Sequence, residues 1–263
     1  MKIGVIGGGN MGGALVSGLL ASGAVQCGDI LISDRSADCL NKWREKGLAV
    51  TEQNREAEAF ADLVLLAVKP NVMGAVLQEL AGEKDKIYLS IAAGISLAYL
   101  EQFLGTDAKI VRAMPNTPAM VGCGMTVLSP NTMVSDGDLQ AVQTVLGAVG
   151  EIALLDEAYM NAACALHGSS PAYIYMLIEA MADSGVKYGI PKAVARKLAA
   201  KAVEGSAKMV LSGSGHPAEL KDQVCSPGGT TIAAVCELEK TGFCAAVQAG
   251  IDACVQRAEE MSK

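Results

Sequence analysis

The sequence predicts an α/β chain: a doubly wound, mainly parallel sheet followed by an all-helical half. Apolar runs of strand length alternate with helical patterns up to residue 155, and such alternation packs helices on both faces of a parallel sheet. The first run ends in a glycine-rich turn, and from residue 156 onward only helical periodicity continues. Two domains are therefore expected, a sheet domain over 1–155 and a helical domain over 156–263.

Residues 3–6 (IGVI) form the first strand, and Leu15, Val16, Leu19 and Leu20 give the spacing of the helix after it. Between them Gly7, Gly9 and Gly12 occupy the glycine positions of G-x-G-x-x-G, with Gly8, Asn10 and Met11 completing the turn. The first glycine allows the sharp turn, the second lets backbone approach a pyrophosphate, and the third lets helix and strand pack closely. Amides at the helix start, with about half a positive charge from the helix dipole, then face the phosphates. Glycine-rich turns also serve simply as turns. Strand before, helix after and Asp34 about 22 residues beyond Gly12 point instead to a Rossmann-type dinucleotide site.

A second strand, 29–33 (DILIS), ends at Ser33, Asp34, Arg35 and Ser36, where the adenosine ribose is read. An acid alone there favours NAD through the 2'-hydroxyl, whereas an Arg accommodates the 2'-phosphate of NADP. This chain has both. Ser33, Arg35 and Ser36 together favour NADP, with NADPH as preferred donor and NADH as the second, provided that Asp34 turns away from the phosphate. Ser36 also fits a plain helix cap.

Residues 48–50, 63–68, 87–91 and 110–114 continue the strands, separated by helical stretches at 56–61, 72–80 and 97–104. Ligands bind such sheets at strand C-termini. Those ends carry Asn54, then Lys69 and Pro70, then 90–94 (SIAAG), then 112–118 (RAMPNTP). A strand at 125–128, a helix near 138–149 and an edge strand at 151–155 close the sheet. Beyond it, 156–166, 171–188, 191–211 and 230–260 read as helices, with Pro171 and Pro191 in first-turn positions and Gly189 and Gly213 as stops. Ala199, Ala200, Ala202 and Ala207 let such helices approach closely. With aromatics at only 4%, that half is too thin to hide its apolar faces alone, which predicts an intertwined homodimer or an assembly of such dimers.

Composition removes several function classes. A net charge of -7 is unsuited to nucleic acid, whose phosphates need clustered Lys and Arg. The 8 cysteines sit singly, no C-x-x-C occurs and 2 histidines are too few for a typical zinc site, so free thiols in a reducing cytoplasm and no metal are expected. Residues 14–24 look like the end of a secretory signal, but glycines break the apolar stretch and Lys2 is the whole basic region. No run nears the ~20 apolar residues that span a bilayer. A cytoplasmic protein without membrane contact is the expectation. Tyr188 and Lys192 have Y-x-x-x-K spacing, yet Gly189 and Pro191 break the helix that would align them. His167 and His216 have no partner near in sequence and read as hydrogen-bonded loop or helix-end residues.

Two stretches resist a plain structural reading. Residues 112–118 place two prolines and Asn116 just after a strand, a rigid loop above the sheet. In 221–231 (KDQVCSPGGTT) a Ser-Pro-Gly-Gly turn leads into a helix, so free amides converge where a carboxylate can sit, and Thr230 and Thr231 add hydroxyls. At these residues the chain resembles the pyrroline-5-carboxylate reductase family. GGGNMG, AVKP at 67–70, SIAAG at 90–94, RAMPNTP at 112–118 and above all L-K-D-x-V-x-S-P-G-G-x-T at 220–231 match that family, and the similarity runs essentially end to end. One departure is GSSPAY at 168–173, where family members commonly have GSGPAY, preceded by His167 where a small residue is usual.

The resemblance implies reduction of 1-pyrroline-5-carboxylate to L-proline by NADPH or NADH, the last step of proline biosynthesis, in a Rossmann domain joined to a helical domain that dimerises. It also implies Asn54 on the adenosine side of the cofactor and Ala67, Val68, Lys69, Pro70, Ala92 and Ala93 on the nicotinamide side. Met114 and Asn116 are candidate substrate contacts. The substrate is a cyclic imine with one carboxylate. The amides around Ser226, Gly228, Gly229 and Thr230 are expected to hold the carboxylate, and the Thr231 hydroxyl, the catalytic candidate, to hydrogen-bond the ring nitrogen and orient it. Because the imine can take its proton from water, no strong general acid is required, and the cofactor supplies the hydride chemistry. The corner can come from the same or a partner subunit. A two-domain reductase of hydroxy acids or other imines would place a Lys in 156–173, which contains none, and a non-catalytic NADP-binding redox sensor would not need 226–231.

Overall fold

The computed structural model describes residues 1–261. Its strands are β1 (Ile3–Ile6), β2 (Ile30–Ser33), β3 (Ala49–Thr51), β4 (Leu63–Leu66), β5 (Ile87–Ser90), β6 (Lys109–Met114), β7 (Gly124–Pro130) and β8 (Gly150–Leu154). They form one sheet in the order β3-β2-β1-β4-β5-β6-β7-β8. Pairing is parallel except between β6 and β7. At β1 the order reverses: β2 pairs on one side and β4 on the other, with Ile6 level with both Ser33 and Leu66. The residues that follow these ends, Gly7, Asp34 and Ala67, are thereby brought to one switch point, where such sheets open a crevice.

The helices are α1 (Asn10–Ser22), α2 (Ala37–Glu45), α3 (Asn54–Phe60), α4 (Pro70–Glu79), α5 (Leu97–Leu104), α6 (Asp136–Gly147), α7 (Met160–Ala163), α8 (Ser170–Lys187), α9 (Lys192–Leu211), α10 (Pro217–Val224), α11 (Thr230–Lys240) and α12 (Phe243–Met261). Alternate strand residues feed two cores. Ile3 and Val5 pack with Leu15, Val16, Leu19 and Trp43 on one face, while Ile6 packs with Val64, Leu66, Met73, Leu77 and Tyr88 on the other. Burial on both faces explains why IGVI and LVLL read as unbroken apolar runs. Each fully buried Leu, Ile or Val contributes about 1.5–3 kcal/mol. The buried acid Glu58 is satisfied within this fold: it accepts from the amides of Ala81 and Gly82 and from the Tyr88 hydroxyl at 2.6 Å. Burial, and then this carboxylate, push the Tyr88 phenol well above its ordinary pKa.

The chain folds into two compact units, one made of residues 1–169 with residues 254–261, the other of residues 170–253. Residues 156–169 and 254–261, expected in the helical half over 156–263, thus group with the first unit. The expected helix over 156–166 is instead a short 3-10 turn (Glu157–Tyr159), the four-residue α7 and a π turn (Cys164–Gly168). The expected single helix over 230–260 is two, because Thr241 closes α11 and Gly242 takes a φ of +81°. Helix α10 has no counterpart among the expected helices, although His216 and Glu219 form a reciprocal cap around Pro217, a short-range signal present in the sequence.

In the second unit, α8 and α9 meet through small residues: a Cβ added at Gly185 would lie 3.0 Å from the Ala195 Cβ. Only Ala182, Ala195 and Ala199 are buried among the described residues of these two helices. Ile174, Tyr175, Met176, Leu198, Val210, Leu211 and Val247 are exposed. Among the described residues no helix is long and apolar enough to cross a membrane, and no group of three or more His, Cys, Asp or Glu could hold a metal. All eight cysteines are free thiols.

Candidate functional site

At the switch point lies a cavity of about 280 Å³ lined by Gly7, Gly9, Ser33, Asp34, Arg35, Asn54, Ala67, Val68 and Lys69, together with Ile6, Val72 and Val76. The glycines differ in what demands them. Gly7 has a φ of +103°, and a Cβ on Gly12 would lie 2.2 Å from the Gly7 carbonyl oxygen, so turn and helix approach permit no side chain. Gly8 is walled in by Ile32 and Trp43, whose Nε1 donates to the Gly8 carbonyl at 2.9 Å. Gly9 is different. A Cβ there would meet nothing within 4 Å, so the fold itself leaves room for a side chain where the cavity has bare backbone.

Gly9 caps α1 without a side-chain bond, and the first turn of α1 carries no acid. The amides of Asn10, Met11 and Gly12 have no intrahelical acceptor by helix geometry, so the positive end of α1 is open to an anion. Asn10 is exposed there, while Met11 packs partly into the core. Opposite, Lys69 precedes Pro70, the first residue of α4.

The adenosine end is a hydrogen-bonded chain. Ser33 Oγ donates to Asn54 Oδ1 at 2.7 Å, Asn54 Nδ2 donates to Glu79 Oε2 at 2.7 Å, and Arg35 Nη2 donates to Glu79 Oε1 at 2.8 Å. Ser33 and Asn54 are buried. Asp34 is turned toward the glycine turn: Oδ2 accepts from the Gly8 amide and Oδ1 from the Ser36 amide, each at 2.9 Å. Ser36 does cap α2 through the Cys39 amide. Glu79 went unrecognised in the sequence, since it lies 44 residues from Arg35 and at the end of an ordinary helix.

Ala92 and Ala93 part company. Ala92 is buried among core residues, whereas Ala93 and Met114 line a separate cavity of about 300 Å³ with Gly94, Asn161, Cys164, Ser169, Cys254 and Arg257. Burial, and next the neighbouring Cys254, raise the Cys164 thiol pKa. Below it Arg112, 5% exposed, donates from Nη1 to Glu157 at 3.0 Å and from Nη2 to Asn161 at 3.4 Å, while its Nε has no partner among the described residues. Asn116 is committed to backbone groups, donating to the His167 carbonyl at 3.1 Å and accepting from the Met125 amide at 2.9 Å, so in this arrangement it fastens the 112–118 loop. His167 holds the same loop. Its Nδ1 lies 2.5 Å from the Ala163 carbonyl oxygen and its Nε2 2.8 Å from that of Met114. No local pattern announces this clamp, which depends on a contact across 53 residues.

In the second unit, Ser226, Pro227, Gly228 and Gly229 make the turn before α11. Gly228 has a φ of +68°, the Gly229 amide donates to the Ser226 carbonyl at 3.0 Å, and a Cβ on Gly229 would strike Ser226 Oγ at 2.3 Å. Gly229 caps α11 without a side-chain bond, leaving Thr230 exposed and Thr231 half-buried in a first turn with no acid. Like α1, α11 has an open start, here with hydroxyls beside it.

Residues 157–261 match the family described as pyrroline-5-carboxylate reductase dimerisation, and residues 2–94 match the family described as NADP oxidoreductase coenzyme F420-dependent. The pyrroline-5-carboxylate reductase of Escherichia coli (strain K12) is 47% identical over 265 residues, covering 100% of this chain and 98% of that protein. That of Synechocystis is 40% identical over 267 residues, covering 100% and 99%. Among solved structures, Plasmodium falciparum pyrroline carboxylate reductase with NADP bound gives a TM-score of 0.92 at 31% identity, covering 100% of this chain and 98% of that one.

Proposed function

The chain belongs to the pyrroline-5-carboxylate reductase family, and from that premise we propose that it reduces 1-pyrroline-5-carboxylate to L-proline with NADPH, NADH serving as a second donor, in the last step of proline biosynthesis. The single observation behind the cofactor assignment is Gly9, whose missing side chain no packing explains and whose backbone stands open beside the uncapped start of α1. A pyrophosphate needs that bare approach and those amides.

In this reading the turn from Gly7 to Gly12 holds the pyrophosphate, Ser33, Arg35 and Asn54 the adenosine ribose and its phosphate, and Ala67, Val68, Lys69, Pro70, Ala92 and Ala93 the nicotinamide side. The bound cofactor supplies the hydride. The amides of the turn from Ser226 to Thr231 bind the substrate carboxylate. The Thr231 hydroxyl accepts a hydrogen bond from the protonated ring nitrogen and so orients the C=N carbon. Met114 forms an apolar wall, and Asn116 and His167 keep its loop in place.

The match to a dimerisation family and the exposed apolar side chains on α8 and α9 make this a self-associating chain. We further assign it a homodimer, or an assembly of dimers, with cofactor functions in 1–155 and association and substrate functions in 156–263. The eight free thiols support a reducing, cytoplasmic setting. The test mixes the protein with NADPH and 1-pyrroline-5-carboxylate and follows cofactor absorbance and proline formation. Loss of reduced cofactor with matching proline is expected; binding of NADPH without turnover would overturn the reading.

A further inference from the structure

We infer that Glu79 is a specificity-determining residue for the cofactor, whose carboxylate occupies Arg35 and so narrows the preference for a 2'-phosphorylated nucleotide over an unphosphorylated one. The inference rests on the assignment of the glycine-turn cavity to a dinucleotide with its adenosine end at Ser33 and Arg35.

Glu79 closes α4, and its two carboxylate oxygens are divided between partners. Oε1 accepts from Arg35 Nη2 at 2.8 Å and Oε2 from Asn54 Nδ2 at 2.7 Å. Arg55 Nε donates to the Glu79 backbone carbonyl at 2.5 Å and holds the helix end in place. Asn54 is itself oriented by Ser33, so the acid sits at the end of a chain of bonds that starts inside the cavity.

A 2'-phosphate carries nearly two negative charges and is held by a guanidinium. Here that guanidinium already has an anionic partner. The phosphate must therefore displace Glu79 from Arg35, or share Arg35 with a second anion nearby, and both weaken its binding. A ribose 2'-hydroxyl makes neither demand. Because the Arg35 and Glu79 side chains are 69% and 43% exposed, water and salt screen the effect, which we set at roughly two- to fivefold in selectivity.

Glu79→Gln isolates the charge. The amide oxygen of Gln still accepts from Asn54, while its NH2 group can give Arg35 no acceptor, so Arg35 is released and the buried chain is kept. The experiment measures kcat/KM with NADPH and with NADH on the wild-type chain, Glu79→Gln and Glu79→Ala. It adds inhibition by 2',5'-ADP and by 5'-AMP as probes of the adenosine end alone. The NADPH-to-NADH ratio is expected to rise about two- to fivefold in both variants, and 2',5'-ADP is expected to inhibit them at lower concentration relative to 5'-AMP. A ratio that stays level or falls in folded variants overturns the role of Glu79, including the case where both cofactors lose equally through a structural defect. A wild-type chain that responds to none of the four nucleotides overturns the dinucleotide reading instead.

Discussion

The Asp34 carboxylate accepts a 2.9 Å hydrogen bond from the Gly8 amide, tying the end of β2 to the glycine turn that follows β1. With its other oxygen on the Ser36 amide, the acid is aimed at backbone and away from Arg35's ion pair with Glu79. An acid and an arginine can thus stand side by side at this strand end. One braces the turn while the other is held by Glu79.

Asp34 also reaches Cys39. Burial, then a hydrogen bond to Asp34 and its charge, raise the thiol above its ordinary value, so less of it is thiolate at any pH near 9. Mass-spectrometric alkylation rates should show Cys39 reacting more slowly than the exposed Cys123, and Asp34→Asn should speed Cys39 without changing Cys123. Equal rates at Cys39 in both proteins would contradict the coupling.

The contrast between Gly9 and Gly12 separates binding from folding. Gly9→Ala adds a methyl where nothing lies within 4 Å and should cost no more than about 1 kcal/mol of stability, yet weaken NADPH binding about tenfold or more. Gly12→Ala drives a methyl against the Gly7 carbonyl and should cost about 3 kcal/mol. Denaturant unfolding and fluorescence titration on both variants check the pair. A Gly9→Ala protein with intact affinity removes the backbone-approach account.

Thr231→Ala should lower kcat about tenfold, the worth of one orienting hydrogen bond to a charged group, with NADPH affinity nearly unchanged. Thr231→Ser should recover most of the loss, since only the hydroxyl is required. Turnover that survives the alanine change excludes this hydroxyl from the reaction.

Arg35→Ala should raise KM for NADPH about tenfold and for NADH less than twofold, because only the former offers a phosphate to the guanidinium. Initial-rate kinetics with each donor settle it, and parallel increases would show that Arg35 supports the strand end and reads no phosphate.

Much of the architecture was legible because its causes are local. A positive φ at Gly7, apolar runs buried on two faces, Pro70 opening α4 and Ser36 capping α2 each leave a mark within a few residues. The same holds for the open turn before α11, where Gly228 and Gly229 carry their own conformational reason. Local pattern misled at 156–166, which breaks into short turns, at α10, whose cap was overlooked, and at the join of two helices. Residues 230–260 are helical in period throughout, but Gly242 after Thr241 ends one helix and starts another.

What the chain alone determined is where backbone must turn, which strand ends carry unusual residues, and which family it joins. Tertiary structure decided which groups those residues meet. Glu79 reaches Arg35 across 44 positions, His167 reaches the Met114 carbonyl across 53, and Asn116 spends its amide on the backbone. The physical reason is that a donor or acceptor removed from water takes whichever partner the packed layers bring within about 3 Å. For Glu79 and His167 that partner lies 44 and 53 residues away, so no short window of neighbouring residues contains it.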